Sequence, residues 1–311
     1  MAQNTQRLAA ALIYNGGAGS AAGNGNLLDN VRSLLRAAAI DAELHEAEDQ
    51  EAIAAATAHA REQGLELVIA CGGDGTLESV ANGLVNTPIT LGILPAGTRN
   101  NVAAGLNIPT DPAAAVALLR SGRRQAIDMV HARCGSEGRW EERWFLELFT
   151  AGLLSTIFEN AEAVQKGNLG ALGDLVAKFA GATPSLLHLT VDDGGSSRTL
   201  ALETHAVLGM NMPYAGANFR VADDILCDDG YLDLFLYERL NKFDLLAHGL
   251  AVITDSDPDP RIRRLRARRL ALEADSPVPI MVDGVALGEG PVTVEVHPRA
   301  LQVITGRGRT A

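Results

Sequence analysis

The sequence predicts two domains of different class, an α/β domain with a parallel sheet and a following domain of antiparallel β-strands. Through the first 121 residues, apolar strand-like runs alternate with helical periodicity across short loops, a pattern typical of a parallel sheet covered by helices. From Ile127 onward, short and often alternating apolar runs follow one another, which favours antiparallel pairing. The length of 311 residues also exceeds what most single cores contain.

The elements of the first half are placed by periodicity and by stop residues. Strands are expected at 8–14, 42–45, 65–70 and 89–94, and helices at 26–39, 51–63, 77–85 and 111–121. Gly64 ends the alanine-rich second helix. Three strands run into loops rich in glycine or asparagine, after Tyr14, Ala70 and Leu94. Because ligands of parallel sheets bind beyond the C-terminal strand ends, these loops predict a single site.

The second half is predicted to consist of strands with two helical interruptions. The strands are expected at 144–149, 185–191, 198–208, 232–237, 270–274, 280–282 and 292–296, and the helices at 155–182 and 241–254. Residues 192–195, Asp-Asp-Gly-Gly, form a turn between two of these strands. Together these patterns indicate an antiparallel β domain.

Composition and charge exclude several classes of protein. Hydrophobic residues make up 47% and charged residues 21%, so the chain can bury substantial cores. A formal net charge of -12 argues against a nucleic-acid partner and against docking on anionic lipid by charge alone. Three cysteines without paired spacing indicate a reducing compartment, and no apolar run approaches the ~20 residues of a membrane span. We therefore expect a cytoplasmic protein, with peripheral contact to a membrane surface left open.

The most informative motif is residues 71–76, Cys-Gly-Gly-Asp-Gly-Thr, which lies between an apolar strand and a helical segment. Glycines let backbone N–H groups approach an anion, and the dipole of the following helix favours negative charge there. Neither the G-x-G-x-x-G fingerprint nor the P-loop lysine motif is present. The sequence therefore predicts a phosphate loop of another kind, with Asp74 at its centre. The alternative is a plain tight turn, which needs neither three glycines nor an acid.

Six short motifs in a fixed order resemble the diacylglycerol kinase catalytic-domain family, which includes sphingosine kinases and bacterial soluble lipid kinases. They are Gly-Gly-Asp-Gly-Thr at 72–76, Gly-Ile-Leu-Pro-Ala-Gly-Thr-Arg-Asn at 92–100, Ala-Ile-Asp at 126–128, Asp-Asp-Gly-Tyr-Leu-Asp at 228–233, Val-Asp-Gly at 282–284 and Val-Glu-Val-His-Pro-Arg-Ala-Leu at 294–301. The resemblance implies an ATP-binding α/β domain at 1–128, to which residues 299–311 return. It also implies a β-sandwich acceptor-binding domain at 129–298, with the active site in the cleft between the two domains.

The resemblance further implies a reaction and the residues that perform it. The γ-phosphoryl group of ATP would pass to a hydroxyl of a lipid or another hydrophobic small molecule, with Mg²⁺ as cofactor. Asp74 would act through magnesium or by orienting the attacking hydroxyl, and Asp283 is the second catalytic candidate. A metal site would use Asp229 with the backbone carbonyls of Leu226 and Tyr231. The nucleotide-binding candidates are Asn15, Gly72, Gly73, Asp74, Gly75, Thr76, Leu77, Glu78, Ser79, Gly97, Thr98 and Asn100.

The chain departs from the family pattern where the general base is expected. The family usually reads Asp-Gly-Glu near its C-terminus, whereas residues 283–285 are Asp-Gly-Val, and valine cannot accept a proton. Glu289 would need a different loop path, and Asp283 would face the other side of an extended segment. Glu78 and Ser79 stand where asparagine and glutamate are usual. Removal of a general base typically costs on the order of 10²–10⁴ in rate.

Three functions follow as alternatives. The first is a lipid kinase, the second is a family member with a changed, non-lipid acceptor, and the third is a catalytically silent nucleotide or lipid sensor. The basic run at 261–270 is interpreted as a solvated face in preference to a patch for acidic headgroups. The seven histidines lack metal-ligand spacing and are interpreted as surface or core residues. A homodimer stays open.

Overall fold

The structure is a computed structural model that describes residues 7–17, 25–136, 138–158, 170–216, 219–238, 240–245 and 259–306. The chain divides into two compact units, Met1–Ile127 with Arg299–Ala311 and Asp128–Pro298. The first limit differs by one residue from the boundary expected from the sequence, and the second falls at the same place.

The first unit is a parallel sheet covered by helices. Its strands pair in parallel in the order β2-β1-β3-β4, so their C-terminal ends all lie at one edge of the sheet. The strands are β1 Leu8–Tyr14, β2 Ile40–Glu46, β3 Leu67–Gly72 and β4 Thr90–Pro95. The helices are α1 Gly25–Ala37, α2 Gln50–Glu62, α3 Asp74–Leu84, α4 Asn101–Gly105 and α5 Pro112–Ser121.

Burial explains the sequence patterns of this unit. Every residue of β3 is buried, as expected for a central strand covered on both faces. Helices α1 and α5 bury apolar side chains such as Leu35 and Leu119 in the same core as β1, β3 and β4. The α5 helix begins at a proline, and the Asp111 carboxylate before it accepts the N–H of Ala114 at 2.8 Å, which is an N-cap.

The second unit is an antiparallel β-sandwich. One sheet has the order β14-β13-β10-β7-β16-β17, while in the other β18 pairs with β15, β15 with β8 and β8 with β9, and β5 pairs with β6 and β18. The elements are β5 Arg123–Ser136, β6 Arg139–Phe145, β7 Leu148–Gly152, α6 Gly170–Gly181, β8 Ser185–Asp192, β9 Ser197–Thr204, β10 Ala206–Met210, β11 Tyr214–Ala215, β12 Phe219–Arg220, β13 Leu232–Leu236, β14 Arg263–Ala267, β15 Arg269–Ala274, β16 Pro279–Val282, β17 Val285–Glu289 and β18 Val292–Thr305.

Side chains from both sheets meet in one core. Phe149 and Leu234 come from the six-stranded sheet, and Leu189 and Leu270 come from the other sheet. Along β8 buried residues alternate with exposed or half-buried ones, as in a strand with one solvated face. The chain passes between the two units within β5 and β18, and the C-terminal part of β18 joins the parallel sheet, where Gln302 lies opposite Thr90 of β4.

Two of the expected strands are divided in the structure. The run 198–208 forms β9 and β10, which belong to different sheets. The hydroxyl of Thr204 lies 3.0 Å from the carbonyls of both Ala206 and Tyr237 and stabilises the bend between β9 and β10. The run 144–149 is also wrong as one strand, because β6 ends at Phe145 and β7 begins at Leu148. A side chain of the candidate functional site binds the turn at residues 146 and 147, between β6 and β7.

The helices expected in the second half are described only in part. Residues 153–158, which begin two residues before the predicted range 155–182, and α6 within that range are helical, and residues 159–169 lie outside the described residues. Residues 242–245 are helical within the predicted range 241–254, and residues 246–254 lie outside the described residues. Among the helices that the structure describes, none combines the length and apolar character needed to cross a bilayer.

Candidate functional site

The glycine loop lies at the junction of β3 and α3. Strand β3 ends at Gly72, Gly73 is the N-cap of α3 with an extended backbone, and Asp74 is the first helical residue. The carbonyl of Gly73 accepts the N–H groups of Thr76 and Leu77 at 3.0 and 3.1 Å. The N–H groups that precede these two in the first turn lack intrahelical acceptors, so they are the donors that an anion at a helix N-terminus uses.

A second loop, residues 95–101, closes directly onto the glycine loop. The Ala96 N–H donates to the carbonyl of Gly72 at 2.8 Å. A Cβ atom on Gly97 would lie 2.4 Å from the Cα atom of Gly73, so only glycine permits this approach. Asn100 adopts a left-handed φ of 57°, and its side-chain amide bonds the N–H and the carbonyl of Gly97 at 3.0 and 2.8 Å. The loops that follow β3 and β4 therefore form one continuous surface.

Asp74 connects these two loops through its carboxylate. Its Oδ1 atom accepts the N–H of Val102 at 3.4 Å, in the first turn of α4. Burial raises the pKa of Asp74, while the backbone N–H groups of Asn101 and Val102 and the charge of Arg99 act in the opposite direction. Because burial has the largest effect, the anionic form is less favourable here than in water. A carboxylate in this setting is suited to contact a cation or a hydroxyl.

A cavity of ≈ 270 Å³ lies beside the glycine loop, within the first unit. It is lined by Asn15, Glu48, Asp49, Gln50, Ile53, Gly73, Gly75 and Thr76. Four of the expected nucleotide-binding residues thus share one cavity. Sequence reasoning missed residues 48–53, because this segment has no glycine-rich motif. The available indication was its position after the C-terminal end of β2, at the same sheet edge as the other loops.

The remaining nucleotide-binding candidates differ in what they present to a ligand. Thr98 is exposed in the second loop, where its hydroxyl is accessible. Leu77 is completely buried and Glu78 is 4% exposed, so both side chains belong to the interior of the unit. The hydroxyl of Ser79 donates to the carbonyl of Gly75 at 2.9 Å, within the helix. Leu77 and Glu78 could therefore contact a nucleotide only through their backbone.

The expected metal-binding loop is held by an arginine in this structure. The Asp229 carboxylate accepts the N–H of Tyr231 at 3.0 Å and also forms an ion pair with Arg266. The Arg266 guanidinium lies 4.2 Å from the centre of the Tyr231 ring, and Leu226 is 52% exposed. A second arginine, Arg264, bonds two further aspartates of the same loop and strand.

These contacts test whether a divalent ion fits at Asp229. A divalent ion would have to displace the guanidinium of Arg266 and would lie close to that of Arg264. The positive charge of the ion would therefore be poorly compensated. No group of three or more His, Cys, Asp or Glu side chains arranged for a metal occurs among the described residues. The residues as arranged at Asp229, Leu226 and Tyr231 therefore do not fit a bound magnesium ion, and we derive no reaction step through one there.

Asp283 holds a turn instead of projecting a free carboxylate. It begins the turn between β16 and β17 with a φ of 44°, so the segment is not extended as the sequence argument supposed. Its carboxylate accepts the backbone N–H groups of Leu146, Glu147 and Leu148 at 2.7, 3.0 and 2.8 Å. Both oxygens are engaged by donors from the turn between β6 and β7. This contact divides the expected strand 144–149 and suits Asp283 for positioning rather than for proton transfer.

A buried polar cluster surrounds the same turn, and sequence reasoning missed it. Asn211 is completely buried, and its Nδ2 atom donates to the carbonyls of Leu146 and Asp128 at 2.8 and 3.4 Å. The Asp128 carboxylate accepts the N–H of Gly230 at 2.6 Å. Glu147 is only 7% exposed. The sequence offered one indication, because Glu147 is the single charged residue in the run 145–158.

These features define a class of protein in which a parallel α/β unit with a glycine-rich anion loop is combined with an antiparallel β-sandwich. Residues 9–132 match the diacylglycerol kinase catalytic domain, and residues 156–305 match the YegS C-terminal NAD kinase beta sandwich-like domain. Together the two matches span most of the chain. The protein belongs to the diacylglycerol kinase-like lipid kinase family, which confirms the predicted family and fold class.

Three known proteins are similar to this chain over most of its length. The chain is 28% identical over 254 residues to an uncharacterized Synechocystis protein, a match covering 78% of this chain and 55% of that protein. It is 26% identical over 242 residues to a diacylglycerol kinase of Staphylococcus saprophyticus, covering 75% of each. A solved structure described as a diacylglycerol kinase from Bacillus anthracis aligns with a TM-score of 0.70 over 98% of both chains at 20% identity, a likeness that shows the fold alone.

Proposed function

We propose that the protein is an ATP-dependent kinase that transfers a phosphoryl group to a hydroxyl of a lipid or lipid-like alcohol. The observation that carries this proposal is the closure of the 95–101 loop onto the glycine loop around Asp74. Backbone N–H groups at the start of α3 would bind the phosphates, as they do at other helix N-termini. The Staphylococcus relative is named a diacylglycerol kinase, which supports the reaction class.

The cavity beside the loop would hold the nucleoside part of ATP. Its carboxylates at Glu48 and Asp49 are suited to bind ribose hydroxyls, although Asp49 also caps α2 through the N–H of Ala52 at 2.8 Å. Mg²⁺ would be held by the nucleotide phosphates and Asp74, and it would neutralise charge on the transferred group. Asp74 is fixed for this task because its carboxylate is tied to the second loop.

The second unit supports a hydrophobic acceptor. One of its apolar clusters includes Leu208, Met210 and Phe235, with Phe158 and Phe179 only partly buried against it. Apolar side chains of this kind are what an acyl chain or another apolar group would contact. We therefore place acceptor binding in this unit.

Access to a lipid acceptor calls for contact with a membrane surface. Val176 and Phe243 are 62% and 67% exposed, and the Phe243 ring lies 5.8 Å from that of Phe179. The ammonium of Lys242 lies within 6.0 Å of both rings. Exposed apolar rings beside a cation are suited to the boundary of a bilayer. We propose transient contact there by a cytoplasmic protein, a location that the free thiols of Cys71, Cys134 and Cys227 support.

The test is phosphoryl transfer from ATP labelled on the γ-phosphate. The wild type is assayed with Mg²⁺ against micellar diacylglycerol, phosphatidylglycerol, sphingosine and a panel of polar alcohols. We expect transfer to a lipid hydroxyl, at least 100-fold slower in Asp74→Ala, on the scale of other losses of a charge-stabilising group. Asp41→Asn is the matched control, because Asp41 is an exposed carboxylate of the same unit that pairs only with Arg7 in the described structure.

Two results would contradict the proposal. Transfer to polar alcohols alone would replace the lipid acceptor by a non-lipid one. ATP binding without transfer to any hydroxyl would instead identify a sensor.

A further inference from the structure

We propose that the protein forms a symmetric dimer by antiparallel pairing of β6 with β6 of a second copy. This interface would use the second unit alone and is independent of the proposed reaction. Strand β6 lies at an edge of its sheet, because among the strands that the structure describes it pairs only with β5. An edge strand presents N–H and C=O groups that can pair with another chain. The side chains of β6 decide whether such pairing is favourable.

Two-fold symmetry leaves one register that uses the whole strand. Residues directly opposite each other in an antiparallel pair point to the same face of the sheet. A two-fold axis perpendicular to the sheet keeps each face on its own side, so one residue must lie opposite its own copy. Strand β6 has seven residues, Arg139–Phe145, and Glu142 is its middle residue. With Glu142 on the axis, every residue of the strand has a partner.

In this register the charges of β6 are complementary. Glu141 lies opposite Arg143 of the partner subunit, and the symmetry repeats this pair on the other side of the axis. Opposite charges directly across two strands stabilise the pairing. Glu141 is exposed, so its carboxylate is accessible to a partner. Arg143 already interacts within its own protomer, but a guanidinium carries five N–H donors, so the pair does not require Arg143 to be free.

Aromatic side chains meet on the opposite face of the strand. Trp140 lies opposite Trp144 of the partner subunit, again twice. Trp140 is 42% exposed, and the guanidinium carbon of Arg133 lies 4.4 Å from the centre of its ring. The ring centre of Trp144 lies 4.7 and 4.6 Å from those of His131 and His297. Aromatic pairs across strands stabilise a sheet, and the pairing would remove apolar surface of Trp140 from water.

One contact opposes the pairing. On the axis, Glu142 faces its own copy, and like charges directly opposite each other are destabilising. Arg133 of β5 lies opposite Glu142 within each protomer, so each of these carboxylates has a cation on its other side. The like-charge contact occurs once, whereas the charge pair and the aromatic pair each occur twice. The balance of these contacts therefore favours the dimer.

The other edge strands of the second unit, β9, β14 and β17, lack this complementarity. In its full register, β14 would bring Arg264 opposite Arg266 of the partner subunit. In β9, Arg198 and Glu203 point to opposite faces, so a two-fold axis cannot pair them. Strand β17 contains a single charged residue, Glu289. Of these edges, only β6 pairs opposite charges with a second copy of itself.

The test is the oligomeric state of the full chain, measured by sedimentation velocity across about 1–100 μM, the weak end of the affinities of specific interfaces. We expect the wild type to dimerise reversibly in this range. Glu141→Arg replaces two attractive pairs by two repulsive pairs, so it should raise the Kd of the dimer at least about tenfold. The double variant Glu141→Arg/Arg143→Glu exchanges the two charges and should return the Kd to within about threefold of wild type.

The matched control is Glu203→Arg, which makes the same change of charge on the edge strand β9. It should leave the Kd of the dimer unchanged, because β9 takes no part in the interface. An equal effect of Glu203→Arg and Glu141→Arg would mean that net charge controls association, and it would overturn the inference.

A cysteine on the axis tests the register itself. Glu142→Cys would place two thiols directly opposite each other, within reach of a disulfide. We expect mild oxidation to cross-link this variant into a dimer on a denaturing gel, whereas Glu203→Cys stays monomeric there. The wild type under the same oxidation controls for the native thiols of Cys71, Cys134 and Cys227.

The remaining outcomes are equally decisive. A wild type that stays monomeric up to about 100 μM overturns the inference, and the charges of β6 would then protect an edge strand from pairing. A dimer whose Kd Glu141→Arg leaves unchanged places the interface elsewhere. If circular dichroism shows that Glu141→Arg does not fold, Glu142→Cys decides, and the absence of a cross-link in that variant overturns the inference.

Discussion

Asp74 shows how a functional residue can cost stability. Burial raises its pKa, so the folded protein binds a proton here more readily than the unfolded chain does. The destabilisation is absent at a pH below the pKa of Asp74 in the unfolded chain. It grows as the pH rises toward the higher pKa of Asp74 in the folded protein, and it is complete above that pKa. A neutral side chain that still accepts the Val102 N–H should avoid this cost.

We therefore predict that Asp74→Asn raises the melting temperature at neutral pH by a few degrees, about the shift for 1 kcal/mol in a protein of this size. The gain should disappear in acid below the unfolded pKa of Asp, and phosphoryl transfer should be lost at all pH values. Thermal unfolding at neutral and acidic pH measures this, with Asp41→Asn as control. A lower melting temperature of Asp74→Asn at neutral pH would contradict the argument.

Single residues also mark the limit of what the sequence could predict. The glycine pattern placed Gly73 and Gly97 in one site, because close backbone approach has a recognisable residue type. The role of Asp283 was not predictable, since it depends on N–H groups more than 130 residues away in the chain. The buried cluster around Asn211 was missed for the same reason, because its contacts with Asp128 and Leu146 also join distant parts of the chain.

At the scale of elements, the arginines of β14 explain the interpretation of the basic run. Arg263 pairs with Glu238, Arg264 with Asp224 and Asp233, and Arg266 with Asp229. The charges of β14 are compensated locally, which favours the interpretation of this strand as a solvated face over that of an unpaired cationic patch. Strand periodicity alone could not give this result, because the acidic partners lie on β13 and in the loops beside it.

We predict that the wild type, without nucleotide, binds no Mn²⁺ at Asp229. Arg266→Gln removes the guanidinium that neutralises this carboxylate, so it should create weak Mn²⁺ binding and a melting temperature that rises with added divalent ion. Electron paramagnetic resonance of free Mn²⁺ and thermal unfolding both report the change. Arg263→Gln is the control, since Arg263 pairs with Glu238 instead. Tight Mn²⁺ binding by the wild type that Asp229→Asn abolishes would refute the prediction.

The order of elements was predictable from the sequence where a single hydrophobic pattern dominates. Strands β1, β3 and β4 were found because a buried parallel strand appears as a continuous apolar run. The break between β9 and β10 was not, because both strands are rich in apolar or β-branched residues and the corner depends on the hydroxyl of Thr204. Local composition therefore identified strands but not the sheet to which each belongs.

At the scale of the whole molecule, the first unit is assembled from two distant parts of the chain. Ile304 of β18 is 3% exposed and packs in the core formed by β1, β3, β4, α1 and α5. Its Cγ2 atom lies so close to Gly122 that a Cβ there would approach it to 2.5 Å. The nucleotide-binding unit thus depends on a strand that follows the entire second unit in sequence.

We predict that Ile304→Ala destabilises the first unit by about 2–5 kcal/mol, the usual cost of such a truncation in a core. The Kd for ATP should rise as the unit unfolds on warming, although Ile304 lies in none of the candidate ligand-binding loops. Chemical denaturation monitored together with nucleotide binding measures both effects. Gln302→Ala, at a half-buried polar position of the same strand, should change stability by less than ~1 kcal/mol. Equal effects of the two variants would disprove this account.

The return of β18 to the first unit has a consequence for biosynthesis. Residues 299–305 leave the ribosome only after residues 128–298 have been translated, so the nascent first unit lacks a strand beside β4 throughout that time. An unpaired strand edge in a growing chain favours aggregation and binding by chaperones. A ribosome that stalls anywhere within the second unit would therefore release a fragment whose first unit is incomplete, however intact its glycine loop.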